Sequence, residues 1–246
     1  MKKLIIAFLL AAAPMLGLAS GGGAHLEHAG IDVSDQASLQ RGAKYFVNYC
    51  LSCHSAKYQR YNRMAKDLGM TDDEVKNNLM FITDKIGDGM TIAMPEDKAQ
   101  KWFGNPPPDL SVIARARGVD WIYSYLRSFY IDESRPFGVN NIVFPDVGMP
   151  HVLWELQGMQ KAVYKMEKDS AGNDMEVFDH FELVKSGSLT PEEYDQVARD
   201  LTTFLSYIGE PIQQERKRLG IWVLLFIAVF FVLAYLLKKE YWKDVH

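Results

Sequence analysis

Cysteine is scarce in this chain, and its scarcity excludes several kinds of site. The 246 residues contain two cysteines, Cys50 and Cys53, and six histidines. A tetrahedral zinc site needs a second cysteine pair or a spaced histidine pair, and the sequence offers neither. Four of the histidines are scattered along the chain: His25, His28, His151 and His180. No disulfide can form outside the Cys50/Cys53 pair.

Other signatures of function are also absent. The sequence has no internal repeat, no glycine-rich phosphate loop and no recognisable Ser-His-Asp arrangement. It carries 27 Lys and Arg against 31 Asp and Glu, a net charge of −4. A nucleic-acid-binding protein would show the opposite balance, so we expect no nucleic-acid partner. The acidity is that of an ordinary soluble surface and leaves a basic protein partner open.

The N-terminus has the pattern of a secretory signal. Lys2 and Lys3 precede a short apolar run, and small residues stand at Gly17 and Ala19. This pattern predicts a signal peptide over residues 1–19, cleaved after Ala19. The alternative is a retained membrane anchor, for which the apolar run is short. An exported chain would place the following domain, residues 20–219, in the periplasm.

A second apolar run lies near the C-terminus. Residues 220–237 contain no charged side chain, and as a helix they would be about 27 Å long, close to the hydrocarbon thickness of a bilayer. They predict one transmembrane helix in contact with the lipid bilayer. Basic residues flank both ends equally, so the positive-inside rule decides nothing. The signal peptide instead predicts that residues 238–246 form a cytoplasmic tail, with the chain anchored once in a bacterial inner (cytoplasmic) membrane.

The two cysteines stand in the stretch NYCLSCHS, which reads Cys-x-x-Cys-His. A lone pair in an oxidising compartment first suggests a disulfide, or the redox centre of a thiol–disulfide oxidoreductase. Such centres follow a strand, whereas residues 34–50 have a helical pattern, with Ser34 as N-cap. The remaining interpretation is attachment of one haem c, with Cys50 and Cys53 forming thioethers and His54 as the proximal ligand.

The side chain on the other face of the iron is less clear. Electron-transfer cytochromes pair histidine with methionine. Met94 and Met149 each precede a proline, which restricts the backbone, and His151 is a third option. Spacing from His54 does not separate them.

Several longer stretches resemble cytochrome c1, the haem subunit of the cytochrome bc1 complex. They are NYCLSCHSAKYQRYNRMAKDLG, WFGNPPPDLSVIARARGVDWIYSYLRSFY, RPFGVNNIVFPDVGMPHVLW and FVLAYLLKKEYWKDVH. The resemblance covers nearly the whole mature chain. It implies that Met149, rather than Met94, is the distal ligand, that Pro107 lies in a wall against the haem, and that Arg117 binds a haem propionate.

The same resemblance implies a function and partners. It implies transfer of one electron from the Rieske iron–sulfur protein to a soluble or membrane-attached cytochrome c, beside cytochrome b in a dimeric ubiquinol–cytochrome c oxidoreductase. The chain would perform no substrate chemistry of its own. Two alternatives remain, a membrane-anchored cytochrome c of another respiratory complex and, from a different class, a thiol–disulfide oxidoreductase. A peroxidase would need an open distal position.

The remaining patterns favour a mainly α fold. Thr71 and Thr190 begin capping boxes, and the second opens a helix that closes the domain. Residues 120–130 predict an amphipathic helix with Trp121, Tyr125 and Phe129 packed inward. A turn at residues 170–173 predicts a hairpin. Together they predict a class I cytochrome c-like extracytoplasmic domain with insertions, plus one C-terminal transmembrane helix.

Overall fold

The computed structural model describes residues 26–168 and 172–243. The predicted signal peptide, residues 1–19, lies outside the described residues, as does the end of the predicted tail. The described part combines helices with three two-stranded antiparallel sheets.

The helices occupy nine segments of the described residues: α1 (Gln36–Tyr45), α2 (Tyr61–Asp67), α3 (Asp72–Leu79), α4 (Glu96–Phe103), α5 (Ile113–Arg117), α6 (Val119–Arg127), α7 (Trp154–Gln157), α8 (Pro191–Gly209) and α9 (Gln213–Tyr241). The strands are β1 (Ala56–Arg60), β2 (Gly89–Met90), β3 (Phe129–Ile131), β4 (Val139–Asn141), β5 (Gly158–Lys168) and β6 (Asp174–Ser186). They pair as β1–β2, β3–β4 and β5–β6.

The core forms where α1 packs across α8, the first and last helices of the domain. Gly42 lies so close to α8 that an added Cβ would overlap the carbonyl oxygen of Asp200 and the Cβ of Phe204. One turn later, the rings of Phe46 and Phe204 meet with centroids 5.4 Å apart. The absence of a side chain at position 42 therefore allows the two helices to approach and bury a continuous apolar face.

Two predicted helix starts are confirmed, and one is wrong by a residue. Thr71 and Thr190 each accept a hydrogen bond from the backbone of a glutamate three residues later and complete a capping box. The N-cap of α1 is Asp35, not Ser34, because the Asp35 carboxylate accepts from Ser38 N at 3.1 Å. The Ser34 hydroxyl instead donates to the Asp32 carboxylate at 2.6 Å.

The predicted hairpin is confirmed as the long ribbon β5–β6, although residues 169–171 at its tip lie outside the described residues. The predicted amphipathic helix is α6, but it ends at Arg127, and Phe129 begins strand β3.

Helix α9 contains the predicted transmembrane segment and extends beyond it at both ends. It begins at Gln213 and ends at Tyr241. Of the helices in the described residues, it is the one that is long and apolar enough to cross a bilayer. None of its apolar window is buried by the other residues that the structure describes. Lys238 and Lys239 lie in its last turn, where they oppose the negative end of the helix dipole.

Candidate haem site

The Cys-x-x-Cys-His segment begins at Cys50, the last residue of a π-helical turn, Phe46–Cys50, that continues α1. Cys53 N and His54 N both donate to the carbonyl oxygen of Cys50, at 3.1 and 2.8 Å, so the chain turns sharply at the motif. Single π-helical turns within helices are frequent at functional sites. This turn places both thiols and the imidazole within one short, hydrogen-bonded segment.

The environment of the Cys50 thiol does not suit a redox-active thiolate. Both cysteines are free and half-buried, and burial, followed by the neighbouring Cys53, raises the pKa of the Cys50 thiol to about 12. Reactive cysteines have lowered pKa values and commonly lie at helix N-termini. Cys50 lies at the C-terminal end of a helix, which argues against the thiol–disulfide oxidoreductase interpretation.

His54 is oriented as a metal ligand would be. Its Nδ1 lies 2.8 Å from the carbonyl oxygen of Pro108, and because a carbonyl can only accept, Nδ1 carries the proton. The lone pair on Nε2 is therefore free for iron. Burial lowers the pKa of His54, which favours the neutral, ligating form of the imidazole.

The proline-rich segment is not helical and lies against the Cys-x-x-Cys-His motif. Leu110 N donates to the carbonyl oxygen of Ser55 at 2.7 Å. The Asp109 carboxylate accepts from Lys57 N at 3.1 Å and Ser111 N at 2.9 Å. These bonds bring residues 106–111 to the motif and carry Pro107 with them, while contact of Pro107 itself with haem stays a prediction.

Met149 lies in a second, smaller apolar cluster. Its side chain packs against Phe129, Val139 and Val147, and the Tyr125 hydroxyl donates to its Sδ at 3.3 Å. Burial raises the pKa of Tyr125, so the hydroxyl keeps the proton that it donates. The structure therefore gives the Met149 sulfur a defined position.

The two competing ligands have different surroundings. Met94 is half-buried in a non-helical segment that is tied to the motif by a hydrogen bond from Ile92 N to Ser55 Oγ at 3.1 Å. His151 is buried and stacks on Phe129, with centroids 4.9 Å apart, and burial lowers its pKa to about 4. Its Nε2 has no hydrogen-bond partner among the described residues. The choice of Met149 stays a prediction.

Arg115 and Arg117 have different neighbours in the structure, which the sequence does not reveal. Arg115 lies 4.0 Å from the carboxylate of Glu210, whereas Arg117 makes no ion pair within the described part of the chain. Its guanidinium lies over the rings of Trp121 and Phe144, 5.1 and 5.6 Å from their centroids. It is thereby oriented and available to a carboxylate, although binding of a propionate stays a prediction.

Sequence reasoning missed the role of Tyr125 beside Met149. The four-residue spacing of the aromatic residues predicts that Tyr125 packs inward, and its ring does stack on Trp121. A spacing pattern does not predict which group the tyrosine hydroxyl will contact. The sequence indicated only that some partner should exist, because a largely buried Tyr hydroxyl needs a hydrogen-bond partner.

Taken together, two thiols, an imidazole with a free Nε2 and an oriented thioether fit c-type haem. No group of three or more His, Cys, Asp or Glu in the described residues could hold a bare metal ion.

Comparison with known proteins shows which family the chain resembles. A family model described as the cytochrome C1 family matches residues 27–245. The chain is 57% identical to cytochrome c1 of Allochromatium vinosum, with the whole of both chains covered. It is 48% identical to the ammonia monooxygenase gamma subunit of Nitrosomonas europaea, over 100% of this chain and 98% of that one. It is 28% identical to the mitochondrial cytochrome c1 haem protein of Saccharomyces cerevisiae, over 86% and 68% respectively.

Proposed function

This chain belongs to the cytochrome c1 family, and from this premise we propose that it is the electron-transfer haem subunit of a ubiquinol–cytochrome c oxidoreductase. Family membership implies a haem cofactor and electron transport. The finer proposal is that one haem c is attached covalently and that the subunit passes one electron from a Rieske iron–sulfur protein to a cytochrome c.

The observation that carries the proposal is the state of His54 within the Cys-x-x-Cys-His turn. The protonated Nδ1 of His54 lies 2.8 Å from the Pro108 carbonyl oxygen and donates to it. The opposite nitrogen, Nε2, therefore keeps a free lone pair. Cys50 and Cys53 would attach the haem, with His54 Nε2 and Met149 Sδ as axial ligands. Bound haem c supplies a one-electron ferric/ferrous couple.

The chain's own residues would hold the haem and keep oxygen and peroxide from reacting with its iron. If His54 and Met149 both bind the iron, no position would be open for oxygen or peroxide, and the haem would not act as a peroxidase. The segment with Pro107 would shield one haem face, and Arg117 would neutralise a propionate. The crossing of α1 and α8 is the packing that we expect of a class I cytochrome c domain.

We also propose how the chain is placed in the cell. Residues 1–19 would act as the signal peptide, residues 20–219 would form the periplasmic domain and residues 220–237 would span the membrane, with residues 238–246 in the cytoplasm. Cytochrome b would contact the anchor helix within a dimeric complex. The long apolar helix α9 supports the single anchor.

A second assignment shares the haem chemistry and differs in partner. The relative named as the gamma subunit of ammonia monooxygenase is 48% identical over nearly its full length. This favours, as the alternative, a haem subunit anchored in another oxidoreductase complex.

Purification from the native membrane separates the two assignments. We expect a tagged chain to bring down a cytochrome b and a Rieske protein, with the α-band of a c-type haem in the reduced spectrum. Co-purification with a different oxidoreductase would favour the alternative. A purified chain without a c-type spectrum would contradict both.

A further inference from the structure

We propose that Tyr125 is a positioning residue that holds the Met149 sulfur through a hydrogen bond and thereby raises the reduction potential of the haem. The inference rests on the proposed function, since it takes Met149 as the distal ligand. It adds a residue to the site whose side chain would touch the ligand and not the iron.

The first step is the contact itself. Tyr125 Oη lies 3.3 Å from Met149 Sδ, and a thioether sulfur can only accept, so the hydroxyl is the donor. The sulfur has two lone pairs. One can bind a metal while the other accepts the proton, so the hydrogen bond and iron ligation do not compete.

The second step is that the hydroxyl is held in place. The Tyr125 ring stacks on Trp121, with centroids 4.9 Å apart and planes 9° from parallel, and Phe129 meets it edge-on at 5.1 Å. The buried Asn141 donates to the carbonyl oxygen of Tyr125 at 2.8 Å. Backbone and ring are therefore both fixed, and little conformational freedom is left to lose when the hydroxyl engages the sulfur.

The third step is the electronic consequence. A hydrogen bond draws electron density from the sulfur, so the thioether becomes a weaker donor to iron. Ferric iron depends more on that donation than ferrous iron does. The ferrous form is therefore stabilised relative to the ferric form, and the reduction potential rises. Hydrogen bonding to an axial ligand is one of the ways in which a protein adjusts a haem potential.

The test is Tyr125→Phe in the full-length, haem-loaded membrane protein, because this change removes the hydroxyl and keeps the ring. At a fixed ambient potential the ferrous-to-ferric ratio should fall about threefold to tenfold, where tenfold corresponds to about 59 mV. The measurement is a spectroelectrochemical redox titration of the α-band, together with the sulfur-to-iron charge-transfer absorption of the ferric form.

Tyr123→Phe is the matched control. It removes a hydroxyl from the same helix, two residues away, where the partner is Arg199 Nη2 at 3.4 Å and not the sulfur. We expect the control to titrate as the unaltered protein does. Equal shifts in both variants, or no shift in Tyr125→Phe, would overturn the inference.

A double variant separates failure of the inference from failure of the proposed ligand. Met149→Leu alone should lower the potential strongly, and adding Tyr125→Phe to it should then change nothing, because no sulfur is left to accept. If Met149→Leu has no effect, the proposed ligand is wrong and the inference falls with it. If Met149→Leu lowers the potential and Tyr125→Phe does not, the inference alone fails.

A fluorinated tyrosine at position 125 provides a second measurement if Tyr125→Phe does not load haem. It keeps the ring and makes the hydroxyl a stronger donor, so the potential should rise above that of the unaltered protein. An unchanged or lower potential would overturn the inference.

Discussion

Removing the Arg41 side chain should destabilise the domain more than neutralising its partner, Asp200. The Asp200 carboxylate is buried, with 1% of its side chain exposed, and it accepts from Arg41 Nε at 2.7 Å and Nη2 at 2.9 Å. Ser38 Oγ and Gln196 Nε2 complete its shell at 2.6 and 2.8 Å. This network joins α1, which leads into the haem motif, to α8.

The expected magnitude follows from what each change leaves behind. Arg41→Ala leaves a buried carboxylate without a counter-charge, a change that typically costs about 3–5 kcal/mol of unfolding free energy. The Arg41 side chain is 45% exposed, so water can enter its place, and we expect about 2–3 kcal/mol. Asp200→Asn leaves an arginine that water can solvate, and the loss of hydrogen-bond strength should cost about 1–2 kcal/mol.

The assay is denaturant or thermal unfolding of the detergent-solubilised haem protein, followed by the Soret absorption. For a domain of this size, Arg41→Ala should lower Tm by about 4–12 °C. Lys76→Ala, which removes an exposed ion pair with Asp73, should change stability by less than about 0.5 kcal/mol. The double change Arg41→Met with Asp200→Leu should recover much of the loss, since apolar replacement of a buried pair is often close to neutral.

The desolvation argument is tested by comparing the losses of unfolding free energy in Arg41→Ala and Asp200→Asn. If Asp200→Asn costs as much as Arg41→Ala or more, the carboxylate is not the group that depends on its partner. The desolvation argument would then be refuted.

Three further predictions concern the site and the helix crossing. Met149→Leu should leave the haem attached and lower its midpoint potential sharply in a redox titration, whereas Met94→Leu should not; the reverse result would make Met94 the ligand. Gly42→Ala should destabilise the domain by about 1–3 kcal/mol in the same unfolding assay, because the new methyl group forces α1 away from α8. The cost of this separation exceeds the gain of about 1 kcal/mol in helix propensity. A more stable variant would contradict the close crossing. Arg117→Ala should shift the haem potential more than Arg115→Ala, since Arg115 lies beside the Glu210 carboxylate and Arg117 has no ion-pair partner among the described residues. Equal shifts would contradict the propionate assignment.

The local features that sequence reasoning predicted correctly are those set by neighbouring residues. The capping boxes at Thr71 and Thr190 depend on a side chain and a backbone group three residues apart. The helical pattern of the residues before Cys50 needs only helical spacing. Each can be found within one short window of sequence.

The features that were missed depend on contacts between distant segments or on competition between equivalent side chains. Ser34 and Asp35 are both good N-caps. The Asp35 carboxylate accepts from Ser38 N, whereas the Ser34 hydroxyl is engaged by Asp32. Tyr125 and Met149 are 24 positions apart, so no periodicity could join the hydroxyl to the sulfur. The end of α6 before Phe129 is set by the pairing of β3 with β4, a tertiary constraint.

The covalent attachment of haem can be measured directly. Mass spectrometry of the mature protein, digested to release the peptide that contains Cys50, Cys53 and His54, should find that peptide carrying the mass of one haem, with neither thiol open to alkylation. A peptide without haem, whether its cysteines are free thiols or joined in a disulfide, would contradict the account.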